Sequence, residues 1–105
     1  MKRQVRAPQG SVRYVDRKPM WRDWFGLSAG QADVLDALFV AAGDTRDREQ
    51  LARRLTTARE RVELLVAPLF TALDPGGIKH VSTGWKLTPQ GLAECRAVLA
   101  QEMAA

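Results

Sequence analysis

The sequence predicts a mainly α fold with a small β-hairpin, built on a three-helix core. Three observations support this fold class. Apolar side chains recur at helical spacing in successive segments, capping residues precede several of these segments, and two short β-prone runs flank a polar link that contains glycine. With 105 residues, 46% of them hydrophobic, the chain has the size and composition of one globular domain.

The first 19 residues are predicted to form a basic flexible arm, and residues 20–105 the folded domain. Pro8, Gly10 and Pro19 interrupt a stretch with few apolar side chains. Residues 1–18 carry six basic side chains against one acidic one, a net +5, and the rest of the chain sums to −1 because the total is +4. Such an arm is either a solvated tail or a segment that lies along nucleic acid or an acidic partner.

A short aromatic helix is expected next. Trp21, Trp24 and Phe25 stand at positions i, i+3 and i+4, so one helical turn places them on one face. That face either covers the core or contacts a second subunit.

The first full helix is predicted to begin after Ser28, because Ser28 and Gln31 match a capping box. Gly43 supplies its left-handed stop. Asp33 and Asp36 are expected on its solvated face.

The segment Asp47–Leu73 is predicted to contain two helices joined by a tight polar turn, the layout of a helix-turn-helix. Asp47 with Gln50, and Thr57 with Glu60, match capping boxes, so the second helix is expected to start at Ala58. Pro68 lies inside the second apolar stripe, and a kink or a tightened turn is expected near Leu64–Pro68 because proline lacks the backbone donor.

A hairpin and a last helix complete the predicted order. Ile78–Val81 and Trp85–Leu87 flank the link Ser82–Thr83–Gly84. Thr88 and Pro89 then open a helix as its cap and first residue.

Residues 28–103 resemble the winged helix-turn-helix domains of bacterial transcription regulators, most closely the MarR-like and PadR-like kind. The residues that carry this resemblance are LARRLTTARERV in the helix-turn-helix and GWKLTPQG at the close of the wing. The resemblance implies that the second helix of the motif enters the major groove of double-stranded DNA while the wing touches the backbone or the minor groove.

By position, the resemblance implies DNA contacts from Arg46, Arg48, Arg53, Arg54, Thr57, Arg59, Arg61, Lys79, His80, Thr83 and Lys86. The basic arm would add Lys2, Arg3, Arg6 and Arg13. The last helix resembles the family's dimerisation helix, which implies a homodimer through Leu92, Val98, Leu99 and Met103, with Trp21 and Trp24 as further contacts.

Two alternatives to DNA binding remain open at this stage. The arginines around the turn can instead form a solvated helical face with local ion pairs, such as Glu49 with Arg53. A winged helix with Glu60 and Glu63 at the start of its reading helix can also serve as a protein-protein interaction module, in a phage or accessory protein that binds a host protein or a larger complex.

Other function classes have little support in the sequence. His80 is the only histidine, and no nucleophile stands at a suitable spacing, so neither an enzyme nor a cofactor is expected. One histidine and one cysteine cannot build a zinc cluster, and Cys95 is interpreted as a core residue or a redox-sensitive thiol. No apolar run reaches bilayer length, and a lone cysteine suits the reducing cytoplasm.

Overall fold

The computed structural model describes residues 16–104, which form helices and one antiparallel hairpin. The elements are α1 (Arg17–Phe25), α2 (Ala29–Val40), α3 (Arg48–Leu55), a 3₁₀ turn (Arg59–Arg61), α4 (Val62–Val66), α5 (Leu69–Ala72), β1 (Ile78–Val81), β2 (Gly84–Leu87) and α6 (Pro89–Ala104). The predicted fold class, mainly helical with a small hairpin, is confirmed at this level.

Helix α1 begins inside the predicted arm. The side chain of Asp16 caps it by accepting from the Lys18 backbone N–H, so the last three arm residues belong to the first helix. Residues 1–15 of the arm, with the predicted DNA contacts Lys2, Arg3, Arg6 and Arg13, lie outside the described residues. Trp21 is fully buried and packs edge-on against Phe39 of α2, with ring centroids 5.3 Å apart.

Helix α2 has the predicted capping box between Ser28 and Gln31, and it ends before a turn in which Gly43 has a φ of 97°. The solvated position expected for Asp36 is wrong, because its side chain is only 3% exposed. Its Oδ1 accepts from Trp21 Nε1 at 2.9 Å and from Arg17 Nε at 2.7 Å, and these bonds fix α1 on α2. Asp33 is half-buried and pairs with Lys18 at 3.3 Å.

The segment predicted as a helix-turn-helix has helices on both sides of a turn, but its second helix differs from the prediction. Asp47 and Gln50 form the capping box of α3. Helix α3 ends in a Schellman motif at Thr56, whose φ is 54°, and the Thr57 N–H donates to Ala52 O. That bond occupies the N–H that Glu60 would need, so the predicted Thr57–Glu60 capping box does not form.

The second helix is also shorter than predicted. It starts as the 3₁₀ turn Arg59–Arg61 rather than as an α-helix, and it breaks at Ala67–Pro68, so α4 and α5 are separate. The irregularity expected near Leu64–Pro68 is therefore confirmed, and it takes the form of a break between α4 and α5. Proline cannot donate to the Leu64 carbonyl, which interrupts the ladder at this position.

The hairpin is joined to the segment that precedes α3. Ile78 pairs with Leu87 and Val81 with Gly84, around a turn at Ser82 and Thr83. Arg46 and Trp85 exchange two backbone hydrogen bonds of 2.9 and 3.0 Å. Gly84 permits this approach, since a Cβ there would lie 2.2 Å from the Arg46 carbonyl oxygen.

Helix α6 closes the core. Thr88 caps it through a 3.1 Å hydrogen bond from the Gly91 N–H. A Cβ at Gly91 would lie only 1.9 Å from the Gly77 carbonyl oxygen, so the turn before β1 sits directly on this helix. The side chains of Leu92, Cys95 and Val98 join the same hydrophobic core as α2 and β2.

Candidate nucleic-acid interface

The start of α3, the 3₁₀ turn and the hairpin converge around one cleft of about 340 Å³. Its lining residues are Asp47, Arg48, Glu49, Arg59, Glu63, His80, Ser82, Thr83, Gly84 and Trp85. The fold thus brings together four side chains that were predicted as DNA contacts from distant parts of the sequence, namely Arg48, Arg59, His80 and Thr83. Helices supply the two arginines and the hairpin supplies the other two.

Local structure fixes both walls of the cleft. The Asp47 cap sets the start of α3, so Arg48 and Glu49 occupy its first turn. On the hairpin, the exposed His80 ring stacks on the buried Trp85 ring, with centroids 5.4 Å apart and an interplanar angle of 21°. Because the bridge to Arg46 holds Trp85, it also holds the histidine at the cleft.

Two ion pairs cross the cleft. Arg48 Nη2 lies 2.5 Å from Glu63 Oε2, and Arg59 Nη1 pairs with Glu49 Oε2. The pairing of Glu49 with Arg53 expected from helical spacing is therefore wrong: the carboxylate reaches across to the 3₁₀ turn instead of along its own helix. Both pairs are about half exposed to solvent, so each contributes little to folding stability.

The charges of this cleft nearly cancel. Arg48 and Arg59 face three carboxylates, those of Asp47, Glu49 and Glu63. The described residues 16–104 also balance, with 12 basic side chains and 12 acidic ones, whereas residues 1–15 carry the chain's net +4.

The remaining predicted contacts lie outside the cleft lining. Arg53, Arg54 and Arg61 are exposed and make no ion pair with any other residue between 16 and 104. Arg46 is half-buried and its guanidinium donates to the Thr45 carbonyl at 3.0 Å, and Thr57 is half-buried beside the turn.

The hairpin divides its own predicted contacts between two faces. Lys79 and Lys86 are cross-strand partners, as are His80 and Trp85. Since successive residues of a strand point to opposite faces, the two lysines lie on the face away from the cleft. They form a small basic surface of their own. The sequence pattern alone did not separate these two lysines from the residues that line the cleft.

Exposed apolar side chains on the second helix were missed at the level of sequence. Leu64 is 70% exposed, and Phe70 is 42% exposed although it stands four residues after the buried Val66. The break at Pro68 shifts the face that α5 presents, so a continuous helical projection misplaces Phe70. The sequence did contain an indication of this exposure, since Leu64 directly follows Glu63 and lies on the polar side of the apolar stripe.

The residues predicted for dimerisation are divided between core and surface. Trp21, Leu92 and Val98 are buried in the chain's own core, which leaves them little or no surface for a second copy. Leu99 is half-buried. Only Trp24 and Met103 are well exposed, at 48% and 45%, and Trp24 Nε1 donates to Glu102 Oε1 of α6 at 3.0 Å.

Other kinds of site have less support. A cleft of about 490 Å³ between α1 and α2 is lined by two ion pairs, Arg17 with Asp36 and Lys18 with Asp33, together with Asp16 and Arg22. Residues 16–104 contain no group of three or more histidine, cysteine or acidic side chains placed to hold a metal ion. Burial raises the pKa of Cys95 to about 12, so its thiol is protonated at neutral pH.

The helices of the described segment include none with the length and apolar character needed to span a bilayer. Compared with known proteins, the chain matches no family model, no curated protein and no solved structure.

Proposed function

We propose that this protein is a DNA-binding transcription regulator with a winged helix-turn-helix domain. One observation carries the proposal: Arg48, Arg59, His80 and Thr83, far apart in sequence, line a single cleft between the helix-turn-helix and the hairpin. Arginine and hydroxyl side chains are common donors to phosphate oxygens, and such contacts fix a protein on a duplex. In this proposal α4 approaches the major groove and the hairpin is the wing.

The distribution of charge indicates that electrostatic attraction provides much of the affinity for DNA. Arg53, Arg54 and Arg61 offer exposed guanidinium groups around the turn, and the first 15 residues add a net +4. Each phosphate that such groups neutralise steepens the fall of affinity with salt by about 0.9 in log–log slope.

The test is a titration of a random-sequence duplex, followed by fluorescence anisotropy between about 50 and 200 mM salt. We expect Arg61→Gln to lower the salt slope by about 0.9 and to weaken binding at low salt. The matched control is Arg96→Gln, which removes the same charge from an exposed site on α6 outside the cleft. No binding of the wild-type chain at low salt would refute the proposal, and equal effects of the two variants would refute the assigned surface.

A deletion of residues 1–15 tests the contribution of the arm. It stops before the Asp16 cap, so it leaves α1 complete. We expect the deletion to weaken binding at low salt and to reduce the salt slope, because it removes a net +4. Unchanged binding would show that the arm takes no part.

A second function is favoured by the exposed Leu64 and Phe70 on α4 and α5, since buried apolar anchors provide much of the energy of protein-protein interfaces. In this alternative the second helix docks on another protein. The test is a pull-down from the native host with nuclease treatment. A partner that survives nuclease and is lost with Leu64→Ser, but retained with Val40→Ser on α2, would favour it; Val40 is 49% exposed and serves as the control. Loss of every captured protein on nuclease treatment would refute it.

A further inference from the structure

We infer that the cleft is a self-neutralised phosphate site, in which Glu49 and Glu63 occupy the arginines until DNA phosphates replace them. This inference rests on the proposed function, and it names the side chains that set the affinity of the cleft for DNA phosphates. Arg59 and Arg48 would be the phosphate ligands, and the two glutamates would be internal competitors of the DNA backbone.

The geometry of the two ion pairs supports this exchange. Arg48 and Glu49 are consecutive residues in the first turn of α3, and each pairs with a residue of opposite charge in the segment after the turn. A carboxylate and a phosphate both offer two oxygens to the planar fork of a guanidinium group. A phosphate oxygen can therefore replace Glu63 Oε2 as the acceptor of Arg48 Nη2.

The energetic cost of that exchange is small. The four side chains are 47% to 57% exposed, so water already solvates the groups that would separate. Exposed ion pairs of this kind change an equilibrium constant by a factor of only about one to five. Contact with a duplex phosphate, in contrast, also releases condensed counterions, which a single carboxylate does not do.

The pairs act selectively within the motif. Arg53, Arg54 and Arg61 make no ion pair within residues 16–104, so the arginines held by glutamate are the two that line the cleft. An isolated anion has to displace Glu49 or Glu63 without the benefit of counterion release. A duplex presents phosphates in a row and can displace both, so the glutamates weaken binding to small anions more than binding to DNA.

The experiment compares Glu63→Gln and Glu49→Gln with Glu60→Gln in the full chain. Glu60 lies in the 3₁₀ turn, is exposed and makes no ion pair within the described residues, so its variant removes the same charge without releasing an arginine. Two probes are used: a random-sequence duplex over a range of salt concentrations, and immobilised heparin eluted with salt. Thermal unfolding verifies that each variant is folded.

We expect each pair-breaking variant to bind the duplex about two to five times more tightly than Glu60→Gln. Its salt slope should match that of Glu60→Gln, because the duplex contacts both arginines in every variant once the glutamates are displaced. Both should also elute later from heparin than Glu60→Gln. If all three variants behave alike on both probes, the glutamates do not compete and the inference is overturned, whether or not the wild type binds DNA. A different outcome is that heparin retention rises for the two pair-breaking variants alone while no protein binds the duplex. In that case the glutamates do compete for the arginines, as inferred, and the proposed DNA-binding function is refuted.

Discussion

Replacing Asp36 with alanine is expected to lower the free energy of unfolding by about 1.5–4 kcal/mol, although its side chain does not line the cleft between α3 and the hairpin. Asp36 is 3% exposed and accepts hydrogen bonds from Trp21 Nε1 and Arg17 Nε. These bonds are the more buried of two polar connections between α1 and α2; the other is the pair of Lys18 with Asp33. Without the carboxylate, the indole N–H of a fully buried tryptophan has lost its acceptor.

The magnitude follows from the two lost partners. A buried donor left without an acceptor costs about 1–3 kcal/mol. The ion pair with Arg17 contributes less, about 0.5–1 kcal/mol, because the Arg17 side chain is 37% exposed and water screens it. Asp36→Asn keeps an oxygen for Trp21 and loses mainly the charge, so it should cost about 1 kcal/mol.

The assay is unfolding in denaturant, followed by tryptophan fluorescence for the wild type, Asp36→Ala, Asp36→Asn and the control Asp33→Ala. Asp33 sits one turn earlier on the same helix, but its pair with Lys18 is largely exposed, so its loss should cost less than about 0.5 kcal/mol. If Asp36→Ala and Asp33→Ala agree within about 0.5 kcal/mol, the hydrogen bonds do not secure α1 and the reasoning fails.

Three further predictions concern buried groups. Burial acts to raise the pKa of Asp36, but the bonds from Arg17 and Trp21 outweigh it and hold that pKa below its ordinary value of 3.8. Its stabilising contribution is therefore complete above that pH and lost in stronger acid, so the stability gap between wild type and Asp36→Asn should narrow during acid titration; a constant gap would contradict this. Gly91→Ala should lower the free energy of unfolding by about 1–3 kcal/mol in denaturant, because its Cβ would meet the Gly77 carbonyl, whereas Gly30→Ala meets only the end of the Leu65 side chain and should cost less; equal costs would refute the close contact. Cys95 should resist iodoacetamide in the native protein at neutral pH and react in denaturant, as measured by mass spectrometry, since burial raises the pKa of its thiol to about 12; rapid native labelling would show that α6 opens.

The parts of the fold that depend on neighbouring residues could be predicted from the sequence. The capping boxes at Ser28 and Asp47 and the cap at Thr88 involve residues at most three positions apart, and all three form. The break at Pro68 was equally predictable, because a missing donor is a property of the residue itself. The Thr57 box failed because the preceding helix had already taken the Thr57 N–H for its own termination.

The features that depend on distant residues could not be predicted in this way. From the sequence, Asp36 was interpreted as a solvated residue. In the structure, α1 places the Trp21 indole and the Arg17 guanidinium beside it. The candidate site was predicted as a set of residues but not as a geometry. Helical spacing offers Glu49 a partner on its own helix, whereas the turn at Thr56 brings Arg59 within reach and favours that pair.

The backbone bridge between Arg46 and Trp85 has a consequence for the order of folding. It closes a loop that contains α3, the 3₁₀ turn, α4 and α5, and the two-stranded hairpin alone would be marginally stable. We therefore expect the hairpin to form only after α2 and α3 have packed, late on the folding path, because contacts between distant residues pay their loop-closure entropy first. In native-state hydrogen exchange, the Trp85 amide should then open at a lower free energy than the buried amides of α2, and opening of both only with global unfolding would contradict this order.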